Sequence, residues 1–401
     1  MDFPARLGKL GALSLKVVYA LKILIAPNAF KGSLTASEAA QAIELGVKQA
    51  CPQAQTVLLP IADGGDGCGA ILAAVLAATT IRLEARGPLG RPQQTQLYFH
   101  ADQRTAIIES ADVIGLRLIS GEPANPLLAG SYGLGQLILK ALDLKAEQIL
   151  IGLGGSATND AGMGMAEALG VRFLNAQGIV LSGSGAALET VWHIDTSGMD
   201  PRLRHTDIRV MCDVDNPLYG PTGAAHMFAA QKGADPAQVS RLDEGLKNFA
   251  ERIHQEMGLD VSCAKGAGAA GGLGAGLMAF CQAVLQSGTE LIFDLIELDK
   301  QLQLCELVIT AEGCLDAQSG CGKGPVAVAK RASDFGVPCI VVAGKVTLDP
   351  PALQALGFDK VTSICNQTVD MHQSMQDAAS YLQQASRELL QQFVGYSEPS
   401  K

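Results

Sequence analysis

The order of strands and helices predicts an α/β protein. It is read as a discontinuous Rossmann-like parallel-sheet domain carrying an inserted mixed-sheet α/β domain, with the active site in the interdomain cleft. Three observations predict it. The chain opens with a strand–helix–strand–helix alternation, Lys22–Ala26 to Val75. The alternation breaks after Thr79 into short successive strands, then returns from Glu306 onward. Parallel strands need crossover connections, and a second domain can be inserted in one of them.

The elements follow in order. Lys22–Ala26 is a buried-type strand, followed by the loop Pro27–Thr35, and Thr35 or Ser37 can cap a helix through Ala39, Ala40, Ile43 and Val47. Val57–Pro60 is a second strand, ending in Asp63-Gly64-Gly65-Asp66-Gly67, with a helix through Ile71 and Val75. Thr80–Glu84, Gln94–Phe99 and Thr105–Glu109 read as strands joined by short turns, the pattern of a mixed or antiparallel sheet. A helix over Ser131–Ala141 leads into strand Gln148–Leu153. Ile208–Cys212 is another strand, and Gln238–Met257 a long amphipathic helix. Then come strands Leu307–Thr310, Cys339–Ala343 and Lys360–Ser363, with a terminal helix over Gln373–Phe393. The predicted domains are 20–78 and 285–395 for the Rossmann-like part and 79–284 for the insertion. Residues 1–19 form an N-terminal extension outside the fold.

Composition narrows the function. The 401 residues suffice for two or three domains with their own cores; 48% are hydrophobic, 17% charged and 45 are glycine, as in a turn-rich α/β enzyme. A net charge of −10 argues against nucleic acid or anionic membrane as a main partner, while small anionic ligands respond to local charge. The ten cysteines show no C-x-x-C and no zinc spacing, which predicts a reducing, cytoplasmic location. No apolar run is long enough to span a membrane; Ala70–Thr79 is the longest.

The stretch Gln148–Phe173 is the centre of the candidate site. After its strand, Gly154, Gly155 and Ser156 let the backbone turn tightly and approach a ligand with no Cβ in the way. Thr158, Asn159 and Asp160 offer N-cap chemistry for a helix through Met163, Met165 and Leu169. Strand, glycine turn and helix start together make an anion-binding arrangement. Gly266-Ala267-Gly268-Ala269-Ala270-Gly271 fits GxGxxG, but its preceding segment is a poor strand, so a phosphate-side or packing role fits better than dinucleotide binding. A Walker A loop is absent, because Ala317 and Gly324 stand where Gly and Ser or Thr belong. Asp63, Asp66, Asp213, Asp215, Glu312 and Asp316 occupy strand-end loops, where converging carboxylates supply hard oxygen ligands for Mg²⁺ and a proton acceptor. Lys31, Lys323 and Lys345 lie in glycine-bracketed loops, where an ammonium can neutralise phosphate charge. Positioning, metal and cationic stabilisation together point to phosphoryl transfer. His193, His205, His226 and His254 have no triad context, and the few aromatics offer no stacking platform for nucleic acid.

From about Lys22 to beyond Val346 the chain resembles the bacterial glycerate kinase family. The resemblance is carried by Ile25–Ala36 (IAPNAFKGSLTA), Ala62–Gly67 (ADGGDG), Asn125–Leu137 (NPLLAGSYGLGQL), Ile151–Gly164 (IGLGGSATNDAGMG) and Cys212–Gly220 (CDVDNPLYG). Gln231–Ala234 (QKGA), Gly266–Gly274 (GAGAAGGLG) and Thr310–Lys323 complete the series. It implies a two-domain α/β fold, ATP and Mg²⁺ as co-substrates, and D-glycerate as acceptor, with 2-phosphoglycerate favoured over 3-phosphoglycerate. In the implied site Gly154, Gly155, Ser156, Thr158, Asn159 and Asp160 cradle phosphate, and Gly268, Gly271 and Gly272 line the nucleotide side. Lys31 and Lys323 neutralise charge, Asp213 is the base, and Asp63, Asp316 and Glu312 stand toward the metal. The late motif departs from the family's T-G-E-G-R-[IL]-D-x-Q-T at Ala311, Cys314 and Ser319, and Asp66 replaces a Glu. A thiol lacks the planar bidentate grip of a guanidinium. The alternative readings are therefore a catalytically impaired nucleotide- or metabolite-binding relative, or a kinase of another small hydroxy acid.

Overall fold

The computed structural model describes residues 21–30, 32–61, 68–120, 124–316, 324–365 and 371–395. Its strands in chain order are β1 (Lys22–Ile25), β2 (Gln55–Leu58), β3 (Thr79–Arg86), β4 (Pro92–His100), β5 (Thr105–Glu109), β6 (Gln148–Gly152) and β7 (Arg172–Leu174). They continue with β8 (Val180–Leu181), β9 (His193–Asp195), β10 (Asp207–Met211), β11 (Val284–Gln286), β12 (Leu307–Leu315), β13 (Cys339–Val346) and β14 (Lys360–Ser363). Contacts divide the chain into unit 1, Met1–Asp63 with Ile292–Lys401, and unit 2, Gly64–Leu291.

Unit 1 is built on a five-stranded parallel sheet in the order β14-β13-β12-β1-β2. The chain leaves after β2 and returns in β12 on the other side of β1, so the strand order reverses between β1 and β12. Ligands of open α/β sheets sit at the carboxyl ends of strands beside such a reversal. There Asn28 N–H donates to Ala311 O at 2.8 Å and the Thr310 hydroxyl to Ala26 O at 2.7 Å. The helix Ala36–Ala50 starts at Thr35, which with Glu38 forms a reciprocal capping box. Ala39, Ala40, Ile43 and Val47 fall on one face at helical spacing and are buried in the core with Ile23, Ile25, Ile340 and Val342. The predicted terminal helix is two, Met371–Gln376 and Ala378–Val394.

Unit 2 carries the mixed sheet, ordered β11-β10-β6-β5-β4-β3. Strands β5, β6, β10 and β11 are parallel, and β3 and β4 extend the sheet antiparallel. Helix Tyr132–Asp143 packs its Leu134, Leu137, Ile138 and Ala141 into the same core as Ile149 and Ile151 of β6. A second core centres on Phe173, Phe249 and Phe280, whose ring centroids lie 5.6–6.2 Å apart. Phe249 belongs to helix Pro236–Met257, opened by a capping box between Asp235 and Gln238.

Two features differ from the sequence reading. A small antiparallel sheet, β8-β7-β9, was not anticipated, because strands of two or three residues carry no periodic signal. The unit boundaries also fall differently. Helix Cys68–Val75 packs on β4 and β5 of unit 2 rather than extending the Rossmann-like part, and β11 completes the sheet of unit 2 by pairing with β10.

Candidate functional site

Parallel register aligns four strand ends of unit 2. Glu109 pairs with Gly152, Gly152 with Met211, and Met211 with Gln286. The segments that follow them, from Ser110, Leu153, Cys212 and Ser287, therefore leave from one edge of the sheet.

The loop after β6 rises to Gly154, half-buried, and Gly155, exposed with φ +69°. It is pinned to the segment Ile114–Leu116: Leu116 N–H donates to Gly155 O and Ala157 N–H to Ile114 O, both at 2.8 Å. It then turns inward, and Thr158, Asn159 and Asp160 are all 0% exposed. Their predicted role as helix caps holds only for Asp160, which accepts from Gly164 N–H in the first turn; the Thr158 and Asn159 side chains make no cap. The helix begins only at Met163, runs six residues to Ala168, and is preceded by Gly162 with no side-chain cap. Asp160 is also an internal bracket. Its Oδ2 accepts from the Ser131 N–H and hydroxyl at 2.8 Å each and from Gly164 N–H at 3.1 Å, while Oδ1 accepts from Gly162 N–H at 3.2 Å. Burial pushes this carboxyl upward, and the four donors work against that rise. The first-turn N–H groups of Gly164 and Met165 are thus taken by Asp160 and Ser131, and the solvent-exposed part of the turn is its tip, Gly154 and Gly155, with Ser156 already buried.

The glycine tract packs beneath this loop. Ala270, Gly271 and Gly272 are left-handed, and regular helix starts after them within the segment Ala269–Cys281. A Cβ on Gly271 would lie 2.0 Å from Thr158 O, and one on Gly272 2.8 Å from Leu218. One on Gly268 would lie 2.3 Å from Pro217 O. Ala161 N–H donates to Gly271 O at 3.1 Å. Of the phosphate-side and packing roles read for this tract, the packing contacts are present: Gly268 and Gly271 meet protein backbone and Gly272 meets Leu218.

Asp213 follows β10. Its Oδ1 accepts from the Ser287 hydroxyl at 3.0 Å and Gly288 N–H at 2.9 Å, tying the loop after β11 to that after β10. Its Oδ2 is shielded and has no protein partner. It has company. Among the described residues eight buried side-chain atoms lack a partner, and six belong to Ser110, Thr158, Asn159, Asp213 and Thr289 in the segments leaving this edge. Buried polar atoms are almost always paired, so this concentration marks the edge as the place where polar atoms are reserved for something other than folding.

Three residues of this region escaped the sequence reading. Lys232 is 3% exposed and donates to the Ser156 hydroxyl oxygen at 3.1 Å and to Thr158 O at 2.6 Å. Burial lowers its ammonium to about 7, against the charge of Asp160, which favours the protonated form. Ser131 donates twice to Asp160 and accepts from Met165 N–H at 2.9 Å. Glu109, buried at the end of β5, accepts from Gly69 N–H at 3.0 Å near the start of helix Cys68–Val75. The only sequence signal for Lys232 was its place in Gln231–Ala234. A cavity of about 720 Å³ lined by Met199, Arg204, Met257 and Met278 includes Gln282 and Ala283, just before β11, and holds none of the predicted site residues.

In unit 1, Glu312 and Asp316 lie half-buried on and just beyond the outer part of β12, which extends past β1. Cys314 stands between them, opposite Lys345 in the register of β12 and β13. Burial first, then the charges of Asp316 and Glu312, pushes its thiol upward. Lys345 is thus a strand residue rather than a loop residue. Among the described residues no three His, Cys, Asp or Glu side chains converge as a metal-holding group. Lys31, Asp63, Asp66, Ser319 and Lys323 lie outside the described residues.

Comparison with known proteins matches residues 23–394 to the glycerate kinase family. The chain is 42% identical to the glycerate 2-kinase of Escherichia coli K12 over 369 residues, 92% of this chain and 97% of that one. It is 42% identical to the glycerate kinase of Halalkalibacterium halodurans over 367 residues, with the same coverage. A crystal structure described as glycerate kinase 2 from Salmonella typhimurium LT2 superposes with a TM-score of 0.84 at 40% identity, covering 94% of this chain and 99% of that one. A split parallel-sheet unit interrupted by a mixed-sheet unit, with these relatives, defines an enzyme of the kinase class. The chain belongs to the glycerate kinase family. Among the described residues no helix is long and apolar enough to cross a membrane.

Proposed function

We propose that the protein transfers the γ-phosphoryl group of ATP to D-glycerate with Mg²⁺, giving phosphoglycerate, with the 2-hydroxyl as acceptor. The observation that carries this reading is the reserved edge of unit 2. Partnerless buried polar atoms gather in the loops around Gly154–Asp160 and Asp213, in a chain whose relatives are glycerate kinases. Phosphoryl transfer asks a protein mainly for positioning and charge stabilisation, which hydroxyl, amide and backbone N–H groups supply. Gly154, Gly155 and Ser156 take the phosphate-facing role. Asp213 takes the role of base toward the attacking hydroxyl, held by Ser287 and Gly288 through one oxygen with the other unengaged by protein. Asp160 keeps the loop in shape rather than meeting a ligand.

Mg²⁺ is bound in such enzymes by one or two carboxylates together with phosphate oxygens. Glu312 and Asp316 are assigned that role, as two half-buried carboxylates at alternate positions on and just beyond the end of β12. When bound, the ion would neutralise charge on the transferring phosphate. Lys31 and Lys323 are assigned charge neutralisation and Asp63 the metal side on sequence grounds.

The test is a coupled assay with purified protein, ATP, Mg²⁺ and D-glycerate, with ³¹P NMR of the product. Turnover to 2-phosphoglycerate is expected. Folded protein with no turnover above a no-enzyme control overturns the reading. Calorimetric binding without turnover would then favour an impaired relative, and a panel of hydroxy acids a different acceptor.

A further inference from the structure

Lys232 has no part in the proposed phosphoryl transfer, and its surroundings are unusual. It ends a short turn of helix, Ala230–Lys232, and sends its side chain inward rather than to solvent. Burying an amine this completely costs several kcal/mol unless its protons are met or it gives one up. It has two acceptors, the Ser156 hydroxyl oxygen and the Thr158 carbonyl, for three ammonium protons. Thr158 O is itself crowded from the other side by the backbone of Gly271. Asp160 is the ionisable side chain that acts on the amine. It is engaged elsewhere, by Ser131, Gly162 and Gly164.

The two protonation states of the amine do different things to Ser156. An ammonium has donors only, so Ser156 Oγ must accept and its own proton turns away, toward the loop tip. A neutral amine has a lone pair and accepts that proton, turning the hydroxyl inward. We propose that Lys232 is the positioning residue of the Gly154–Asp160 loop. An anionic group arriving at Gly154–Ser156 draws a proton onto its amine, and the Ser156 hydroxyl turns outward to meet that group. One proton moves from solvent to Nζ, and no covalent bond to carbon or phosphorus changes. The ligand chemistry is an anionic oxygen group, either the carboxylate of D-glycerate or a phosphate of the nucleotide. This inference rests on the loop being the anion-facing part of the proposed site. An amine titrating near 7 is placed to make the switch in the neutral range.

Calorimetry at pH 8.0 in two buffers of different ionisation enthalpy reads the proton directly. D-glycerate alone and ADP-Mg²⁺ are titrated separately. With roughly nine-tenths of the free amines neutral at that pH, binding of the right ligand should take up about 0.5–0.9 proton. The arm showing uptake identifies the anion. Lys232→Met should abolish the uptake and weaken binding by about tenfold or more. Ser156→Ala should keep the uptake and weaken binding only a few-fold. No uptake in the wild type with either ligand, or equal uptake in Lys232→Met, overturns the proposal. If Lys232→Met does not fold, the wild type decides alone. Its Kd should be flat below pH 7 and rise toward tenfold per unit above it, and a flat Kd between pH 7 and 9 overturns the proposal. Normal turnover without Lys232-dependent uptake removes this inference only, whereas absence of turnover removes the proposed reaction.

Discussion

Two glycines on either side of one loop separate a ligand-facing role from a packing role. Gly155 sits at the exposed tip with φ +69°; Gly271 lies beneath with φ +73°. Any L-residue at either position carries about 1–2 kcal/mol for left-handed backbone. At Gly155 little else is expected, because the site faces solvent. Gly155→Val should therefore lower Tm by only about 2–8 °C, using about 2–4 °C per kcal/mol for a unit of this size. At Gly271 the new Cβ would stand 2.0 Å from Thr158 O and 2.7 Å from Asn159 Cα. Even Ala there adds an overpacking cost of about 1–3 kcal/mol, and the total of about 2–5 kcal/mol is a large fraction of a marginal stability. Activity should follow the opposite order per degree of Tm lost. Gly155→Val blocks backbone approach and displaces the Ser156 hydroxyl, and misplacement near 1 Å costs about 100-fold in turnover. The measurements are a circular-dichroism melt and ADP release coupled to NADH oxidation. Wild-type kcat/KM in a folded Gly155→Val protein would refute the assignment of the loop tip to ligand, leaving it a structural turn.

Further outcomes follow from the same contacts. Asp160→Asn puts an amide NH₂ among four donors, whichever oxygen it replaces. Stability should fall by about 2–3 kcal/mol, read as a lower urea midpoint with unchanged m-value. Asp213→Asn keeps an oxygen for Ser287 and Gly288 but cannot take a proton; kcat should drop about 10²–10⁴-fold with Tm within a few degrees of wild type. The depressed ammonium of Lys232 has a definite sign. Between about pH 7 and the ordinary lysine range the unfolded chain binds the extra proton, so stability should rise with pH across that window; in Lys232→Met that contribution should vanish. Cys314, raised by burial and two carboxylates, should react with iodoacetamide at pH 7.5 more slowly than the exposed Cys263, as peptide mass mapping would show.

What the sequence disclosed was local. The strand before Gly154, the turn at Gly154–Gly155 and a cap at Thr35 (one of the two candidates, with Ser37) each depend on residues a few positions apart, and each is present. The misreadings share one cause. Asp160, beside Gly162 and ahead of an apolar helix, has the local signature of an N-cap. Its carboxylate does reach Gly164 N–H in that helix, but it is also held by Ser131, 29 residues earlier, a partner that no spacing rule can name. Lys232, between Gln and Gly, is missed rather than misread: it carries no local signal until the fold brings it 76 positions back to Ser156. Helix Cys68–Val75 was placed in the first unit because it continues the strand–helix alternation. It belongs to unit 2, where Gly69 N–H is held by Glu109 at the end of β5.

The energetics explain why the loop and the glycine tract occur as a pair. Ala161 and Ala270 both adopt positive φ, which glycine tolerates and alanine does so only at a cost of about 1–2 kcal/mol each. Each unpaired buried polar atom nearby costs about 1–3 kcal/mol more. A lone surface loop carrying such costs would relax into water. Here it cannot. Gly271 and Gly276 admit the loop backbone to contact distances that a Cβ would forbid, and Ala161 N–H is held by Gly271 O. Ala161, Ala267, Ala275 and Phe280 then lie in one apolar cluster with Phe173 and Phe249. The strain is held by burial on one side, so the hydroxyl and amide groups on the other keep their positions before any ligand arrives. Strain persists where surrounding structure over-determines it, and such places tend to be functional. On the proposed reading, the glycine tract serves phosphate binding by fixing the loop assigned to that role.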